Sequence, residues 1–547
     1  MQTGIQILFA GQKGRNERDG RRTPEESEGG LEFEPDAACP AIAFGDGGRL
    51  GKRGRFSKVS RKESQMVSKW SLLTDLYQLT MAGGYVREGK KEQRANFDYF
   101  FRSVPDNGGY CVLAGLADVI EYIQTLRFSQ DDLSYLETLG VFAREFLLYL
   151  ENFKFTGDVW AIPEGTVVFP HEPLMRVTAP LPEAQLVEST LLNIMNFQTL
   201  IATKAARVCW AAQGDPVVDF GLRRAHGPDG AVMASRAAFI GGTDATSNVL
   251  AGHLYRIPVQ GTMAHSWVES FPSELEAFRA YANVYPDRCL LLADTYDTLQ
   301  SGVPNAIRVG QELRERGHEL QGIRLDSGDL AFLSKHARRM LDDAGFASAR
   351  IVASSDLDEW IVESLKRQGA QVNIWGVGTR LITSFSSPAL GGVYKLTAID
   401  EDGEDMKPKI KRSDNPEKMT NPGLKKVVRM YDQEGRMRGD VLFLDDEAIP
   451  EKGPIQAHHP MFPHVSKAYS ENFRKRELLM PIFQDGKIVY QRPSLDEIRQ
   501  HAATNLEELD NAYKRFRNPH LYHVSLSPAL FAVKQQLLHT FPSPHSP

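Results

Sequence analysis

Cysteine is scarce in this chain: four in 547 residues (Cys39, Cys111, Cys209 and Cys289), widely spread and with no CxxC pair. A disulfide scaffold and a structural zinc site are therefore not expected, and a reducing, cytoplasmic setting is the simpler expectation. Long apolar runs are missing as well; ILFA and CLLLA are far too short to span a bilayer, and no secretory h-region of sufficient length opens the chain. The motifs HExxH, GxSxG and GxxxxGK[ST] are absent, which removes the commonest zinc-protease, serine-hydrolase and P-loop readings. No large charge of one sign exists either, because 64 Lys and Arg stand against 70 Asp and Glu, a formal −6. A global field drawing the chain to nucleic acid or an anionic membrane is thus excluded.

What is present is an ordinary globular composition, 42% apolar and 24% charged, at a length that accommodates two or three cores. Residues 1–65 stand apart. Rich in Gly, Arg and Glu, as in GRNERDGRRTPEESEGG, they have no apolar period and are expected to be a disordered extension preceding a structured start near Met66. From 66 to 184 helices are expected at LLTDLYQLTMAGGY, LADVIEYIQTL and AREFLLYLENF, with strands at ANFDYFFRS and within 157–181. A long apolar-periodic helix is expected over 185–214.

Between 185 and 389 one pattern repeats: a short apolar run ends in polar or glycine residues, and an amphipathic stretch follows. The runs are PVVDFGLRR, IPVQGTMAHS, RCLLLADTYD, LQGIRLDSGD, ARIVASSDLD and QVNIWGVGTR. Six such units imply parallel strands with right-handed crossovers, as an irregular (β/α) barrel or a doubly wound sheet. After 390, LGGVYKLTAI and GLKKVVRMYDQEGRMRGDVLFLDD have the look of antiparallel strands that rejoin the β-rich layer of the N-terminal part. One α+β domain would then be built from both ends of the chain, with 390–547 closing on a terminal helix.

In either architecture ligands bind at the strand ends. Those ends carry Arg223 and Arg224, His265, Asp294, Arg324 with Asp326 and Asp329, and Gly376 with Gly378 and Thr379. Gly-Val-Gly-Thr lets backbone amides approach an anion, and the hydroxyl of Thr379 adds a donor. Arg223 and Arg224 suit bidentate phosphate or carboxylate contacts, or a surface salt bridge. Arg324 and Asp326 share one face of an extended segment, whereas Asp329 is placed to cap the helix that follows. A carboxylate here could hold magnesium through water, bond a ribose hydroxyl or orient a histidine. His265, in GTMAHSWVES, could by itself be a core residue, a metal ligand or a chemical group. Together these residues point to an α/β enzyme for a phosphorylated, sugar-like substrate.

Eight segments occur in order: LLTDLYQLTMAGGY, DFGLRRAHGPDG, GGTDATSNVLAG, GTMAHSWV, LLADTYDTLQSGVPNAI, GIRLDSGDL, WGVGTRLITS and LGGVYKL. With YHVSLSPAL near the end, they closely resemble the nicotinate phosphoribosyltransferase family. The resemblance implies a type II phosphoribosyltransferase, with an irregular barrel and a β-rich domain, acting as a homodimer. It implies formation of nicotinate mononucleotide and diphosphate from nicotinate and 5-phosphoribosyl 1-diphosphate, coupled to ATP hydrolysis through phosphorylation of the histidine matching His265, with Mg²⁺ on the diphosphate. Asp294 or Asp326 would orient that ring. By the same resemblance Tyr77, reaching across the dimer, and Phe220 pack on the pyridine; Thr262 and Arg324 lie near nicotinate; and Arg223, Gly378 and Thr379 face the phosphoribosyl diphosphate. His226 stands where the family usually has glutamine, so no catalytic role is carried to it. The rivals are a nicotinamide phosphoribosyltransferase and a non-catalytic, phosphosugar-binding regulator.

Overall fold

The computed structural model describes residues 70–540 apart from 402, 404, 414, 416, 417, 463 and 471. The extension expected over 1–65 lies outside the described residues. Six short strands form the parallel sheet that positions the site: β1 (Val217–Asp219), β2 (Ala245–Thr246), β3 (Leu290–Leu292), β4 (Gly322–Leu325), β5 (Arg350–Ser355) and β6 (Ile374–Val377). Their order is β2-β1-β6-β5-β4-β3 and every pairing is parallel. The last strand of the series therefore lies on the first. All four residues of β6 and all three of β1 are buried, as befits strands covered on both faces.

Amphipathic helices return the chain between strands: Glu274–Val284, Val303–Glu315, Leu330–Asp343 and Glu359–Arg367. The starts of three of them are set by side-chain caps. Ser273 accepts from the Glu276 amide, Asp329 from Phe332, and Asp358 from Trp360 and Ile361, each satisfying amides that a first turn leaves unpaired.

Three expectations need correction. IPVQGTMAHS is not a strand; only Val259 forms a parallel bridge, to Thr246, and the second strand is Ala245–Thr246 within GGTDATSN. The helix expected over 185–214 is two helices, Leu181–Leu186 and Glu188–Ala212, the second ending at Gln213 in the left-handed conformation before Gly214. The C-terminal strands divide between two sheets. Gly392–Asp400 does join the N-terminal layer, pairing antiparallel with Arg94–Phe101 in a seven-stranded sheet that also takes in Met480–Gln484. The hairpin Lys425–Tyr431 and Met437–Leu444 instead belongs to a separate six-stranded sheet with Val524–Leu526.

Buried ion pairs hold these elements in place. Arg236, on the helix Pro228–Ile240, grips Glu164 with both terminal nitrogens at 2.8 Å, and Glu164 also accepts from the Gly115 amide at 2.6 Å. Arg429 and Asp440 form a second two-pronged pair inside the six-stranded sheet, at 2.9 and 2.8 Å. Among the described residues no helix is long and apolar enough to cross a membrane.

Candidate active site

The strand ends of the parallel sheet gather most of the reactive groups expected from sequence. β4 delivers Arg324 on its strand and Asp326 just beyond; Asp294 follows β3. His265 opens the short helix His265–Glu269, and its Nε2 faces Asp326 Oδ2 at 3.8 Å. Its Nδ1 lies 3.1 Å from the Thr295 hydroxyl, so both ring nitrogens have a polar neighbour and the ring plane is set. Asp294 does not reach the ring. It accepts from the Asp326 amide at 2.8 Å and from the Ser327 hydroxyl at 2.7 Å, while its buried Oδ1 has no partner. Ser354, at the end of β5, donates to Asp326 Oδ1 at 2.5 Å.

Arg324 donates through Nη1 to Thr262 Oγ1 at 2.7 Å and to the Met263 carbonyl at 3.2 Å. Its Nε is buried and unpartnered. Burial pulls the guanidinium below its ordinary pKa and the nearby Arg223 adds to that, against the opposing pull of Asp326 and Asp294. It remains charged at any physiological pH, but the electrostatic cost favours an incoming anion.

Beside this cluster β1 and β6 end together. Phe220 donates its amide to the Val377 carbonyl at 2.9 Å, and its ring lies across Gly376, where a Cβ would come within 2.5 Å of the ring. Gly221 is equally constrained, since a Cβ there would sit 2.4 Å from that of Ile382. Beneath the turn, buried Asp219 accepts from Gly221, Ser235 and Thr246, each at 2.8 Å, and burial raises its carboxyl above the usual range. Gly378 caps the one-turn helix Thr379–Ile382, and Arg223 projects from the exposed turn Leu222–Arg224.

Thus His265, Asp326 and Asp294 form one set of contacts and Arg324 with Thr262 another, the two coupled by the charge of Arg324 on Asp326 and Asp294, and Phe220, Gly378 and Thr379 adjoin one another. Tyr77 is not among them. It lies half-exposed on the helix Leu76–Arg87, where partial burial followed by Glu188 and Asp75 raises its phenol pKa. His226 is exposed, and Asp329 is a helix cap, as its position before Leu330 suggested. Sequence reasoning missed Thr295, Ser327 and Ser354. Thr295 and Ser327 lie just beyond strands and Ser354 at the end of one, the positions at which it had found the charged residues.

Parallel strands whose ends present a histidine, paired carboxylates and an unsatisfied arginine define an α/β enzyme built for an anionic substrate. Family models place the chain more narrowly. Residues 72–196 match the nicotinate phosphoribosyltransferase N-terminal domain, 216–438 the nicotinate phosphoribosyltransferase family and 424–534 its C-terminal domain. Nicotinate phosphoribosyltransferase of Bacillus subtilis is 49% identical over 470 residues, which cover 86% of this chain and 95% of that one. The human protein of that name is 35% identical over 532 residues, covering 85% and 96%. A crystal structure of human nicotinic acid phosphoribosyltransferase superposes with a TM-score of 0.76 at 32% identity, over 85% of this chain and 99% of that one. Nicotinate-nucleotide pyrophosphorylase from Pyrococcus furiosus, 23% identical, shares the fold with a TM-score of 0.61. The chain belongs to the nicotinate phosphoribosyltransferase family.

Proposed function

We propose that the chain joins nicotinate to 5-phosphoribosyl 1-diphosphate, with hydrolysis of ATP, as a step of NAD salvage in the cytoplasm. The observation that carries this reading is the Thr262–Arg324 contact lying next to the His265–Asp326 pair. It puts a cation with a spare donor, suited to the nicotinate carboxylate, beside an imidazole able to accept a phosphoryl group. Arg324 and Thr262 orient the base, and Phe220 lies against one face of its ring. Bond formation between the pyridine nitrogen and the anomeric carbon accompanies loss of diphosphate through an oxocarbenium-like transition state. Gly378, Thr379 and Arg223 hold the phosphates. Asp294, whose buried Oδ1 has no partner, and the neighbouring carboxylate of Asp326 are the residues that would hold Mg²⁺. Such an ion would neutralise charge on the leaving group.

In the coupling half of the cycle an imidazole nitrogen of His265 attacks the terminal phosphorus of ATP. An N–P bond forms as the P–O bond to ADP breaks, and water later releases phosphate. Asp326 stabilises the ring's positive charge. Incubation with γ-labelled ATP tests this: wild type acquires an acid-labile phosphate and His265→Ala acquires none. An unlabelled wild type that still forms nicotinate mononucleotide would remove the phosphohistidine from the scheme.

The architecture we read is an irregular parallel barrel over 185–389, open beside β3, with 66–184 and 390–547 as one α+β domain. Tyr77 then acts in a partner's site. Leu73, Leu76, Tyr77 and Met81 make an exposed stripe suited to a homodimer interface. Mixing Tyr77→Ala with His265→Ala subunits is expected to restore part of the activity that each lacks alone; sedimentation of the active wild type as a monomer would exclude this arrangement. The three described cysteines are all free thiols, in keeping with a reducing compartment.

A further inference from the structure

A lysine that hydrogen-bonds none of the residues assigned to substrate is tied to the segment that follows the Gly-Thr loop. Lys204 sits midway along the buried helix Glu188–Ala212. Its ammonium donates to Asp106 Oδ2 at 3.0 Å, Glu359 Oε1 at 3.0 Å and Ser386 Oγ at 2.9 Å. Arg207, one turn further on, donates to the same Glu359 at 2.8 Å. All of these charged side chains are almost fully inaccessible to water.

The cluster reaches the segment from two sides. Ser386 also hydrogen-bonds Asp106, and the Asp106 amide donates to Ser387 Oγ at 3.0 Å. Glu359 follows Asp358, whose carboxylate pairs with Arg380 at 2.9 Å, inside the helix that Gly378 caps. Neighbouring acidic residues at one helix start thus restrain both ends of the segment 380–387. Between those ends Ser384 is buried in the left-handed region, a conformation that a serine keeps only under outside restraint. Ile382, in the same segment, packs on Gly221 and so against the turn that carries Arg223.

We propose that Lys204 is a positioning residue for phosphoribosyl diphosphate binding, acting through Ser386 to hold Gly378 and Thr379 where they meet the phosphates. This rests on the assignment of those two residues to the phosphates made above. A buried ammonium held by two buried carboxylates is a rigid anchor, because displacing either one leaves charge unpaired in a dry interior, and it fixes the donor to which exposed Ser386 is tied. The anchor is well suited to a loop that must present backbone amides to an anion at fixed spacing. It predicts that weakening the tie affects the phosphate-bearing substrate and leaves the base alone.

Ser386→Ala with Ser387→Ala removes the tie while leaving the Lys204–Glu359–Asp106 ion pairs in place, so the variant should fold. Its KM for 5-phosphoribosyl 1-diphosphate should rise about tenfold, the scale of one lost hydrogen bond to a charged group, while the KM for nicotinate stays within about twofold. Lys204→Met should raise the same KM at least as much, and adding Ser386→Ala to it should raise it little further, because the two act through one contact. Rises that multiply in the combined variant, or equal rises in both KM values, would overturn the positioning role. So would an unchanged KM for phosphoribosyl diphosphate accompanied only by a lower Tm. A wild type that forms no nicotinate mononucleotide would refute the assigned function, and with it this role; an active wild type with unaffected variants would refute the role alone.

Discussion

The Glu164–Arg236 pair and the Asp326–Arg324–His265 cluster use similar chemical groups to opposite ends. In the first, both carboxylate oxygens and both terminal nitrogens are matched at 2.8 Å, Gln198 and Gly115 take up further hydrogen-bonding capacity, and neither side chain is more than 5% exposed. In the second, His265 and Asp326 are 39% and 33% exposed and 3.8 Å apart, and Arg324 Nε and Asp294 Oδ1 have no partner. Complete satisfaction marks a group that holds the protein together. Residual capacity at a strand end marks one waiting for a ligand.

Substitution on each side separates the two roles. Glu164→Gln leaves Arg236 buried without its counter-charge and should lower the unfolding free energy by about 3–5 kcal/mol, read by denaturant titration, while turnover per folded molecule survives. A loss under about 1 kcal/mol would place the pair with ordinary surface contacts. Burial alone would raise the Glu164 carboxyl, but Arg236 and the Gly115 amide outweigh it and hold the pKa below 4.5. The pair's stabilisation is therefore complete above that value and lost as pH falls through the lower folded-state pKa, because the unfolded chain then binds the proton more readily. Wild type should lose stability on acidification below about pH 4.5 more steeply than Glu164→Gln. Arg324→Met is the converse case. It should raise the KM for nicotinate by about 10- to 100-fold, the scale of a charge-assisted hydrogen bond, and shift stability by less than about 1 kcal/mol because the guanidinium is only partly satisfied in the folded chain. A large stability loss with unchanged KM would move Arg324 to the structural side.

Much of the candidate site was legible in the sequence because a parallel strand buried on both faces is an uninterrupted apolar run, and its polar end is where such sheets present reactive groups. LLLAD, IRLDS and WGVGT each announce strand and site together. Ala245–Thr246 did not, since two residues between Gly-Gly-Thr-Asp and Ser-Asn have the composition of a turn and become a strand only through β1. The hairpin 425–444 was recognisable as a hairpin, but its sheet is decided by a partner near residue 524 that no local pattern encodes. Thr295 and Ser354 were passed over for a related reason: a hydroxyl has no distinctive spacing, and its value lies in the neighbour across the fold.

The placement of the last strand on the first sets a schedule for synthesis. β1 leaves the ribosome with its apolar face complete, yet the neighbour that seals it, β6, follows about 150 residues later. At about 5–20 residues per second that is roughly 8–30 s during which Val217 and Val218 lack their native cover on that side. Phe220 and Gly378 cannot meet before then, so a nascent chain stopped short of 378 carries His265 but no completed Gly378–Thr379 turn. Until β6 emerges, the edge of β1 that it will pair is open to other chains, and aggregation competes with folding over that interval.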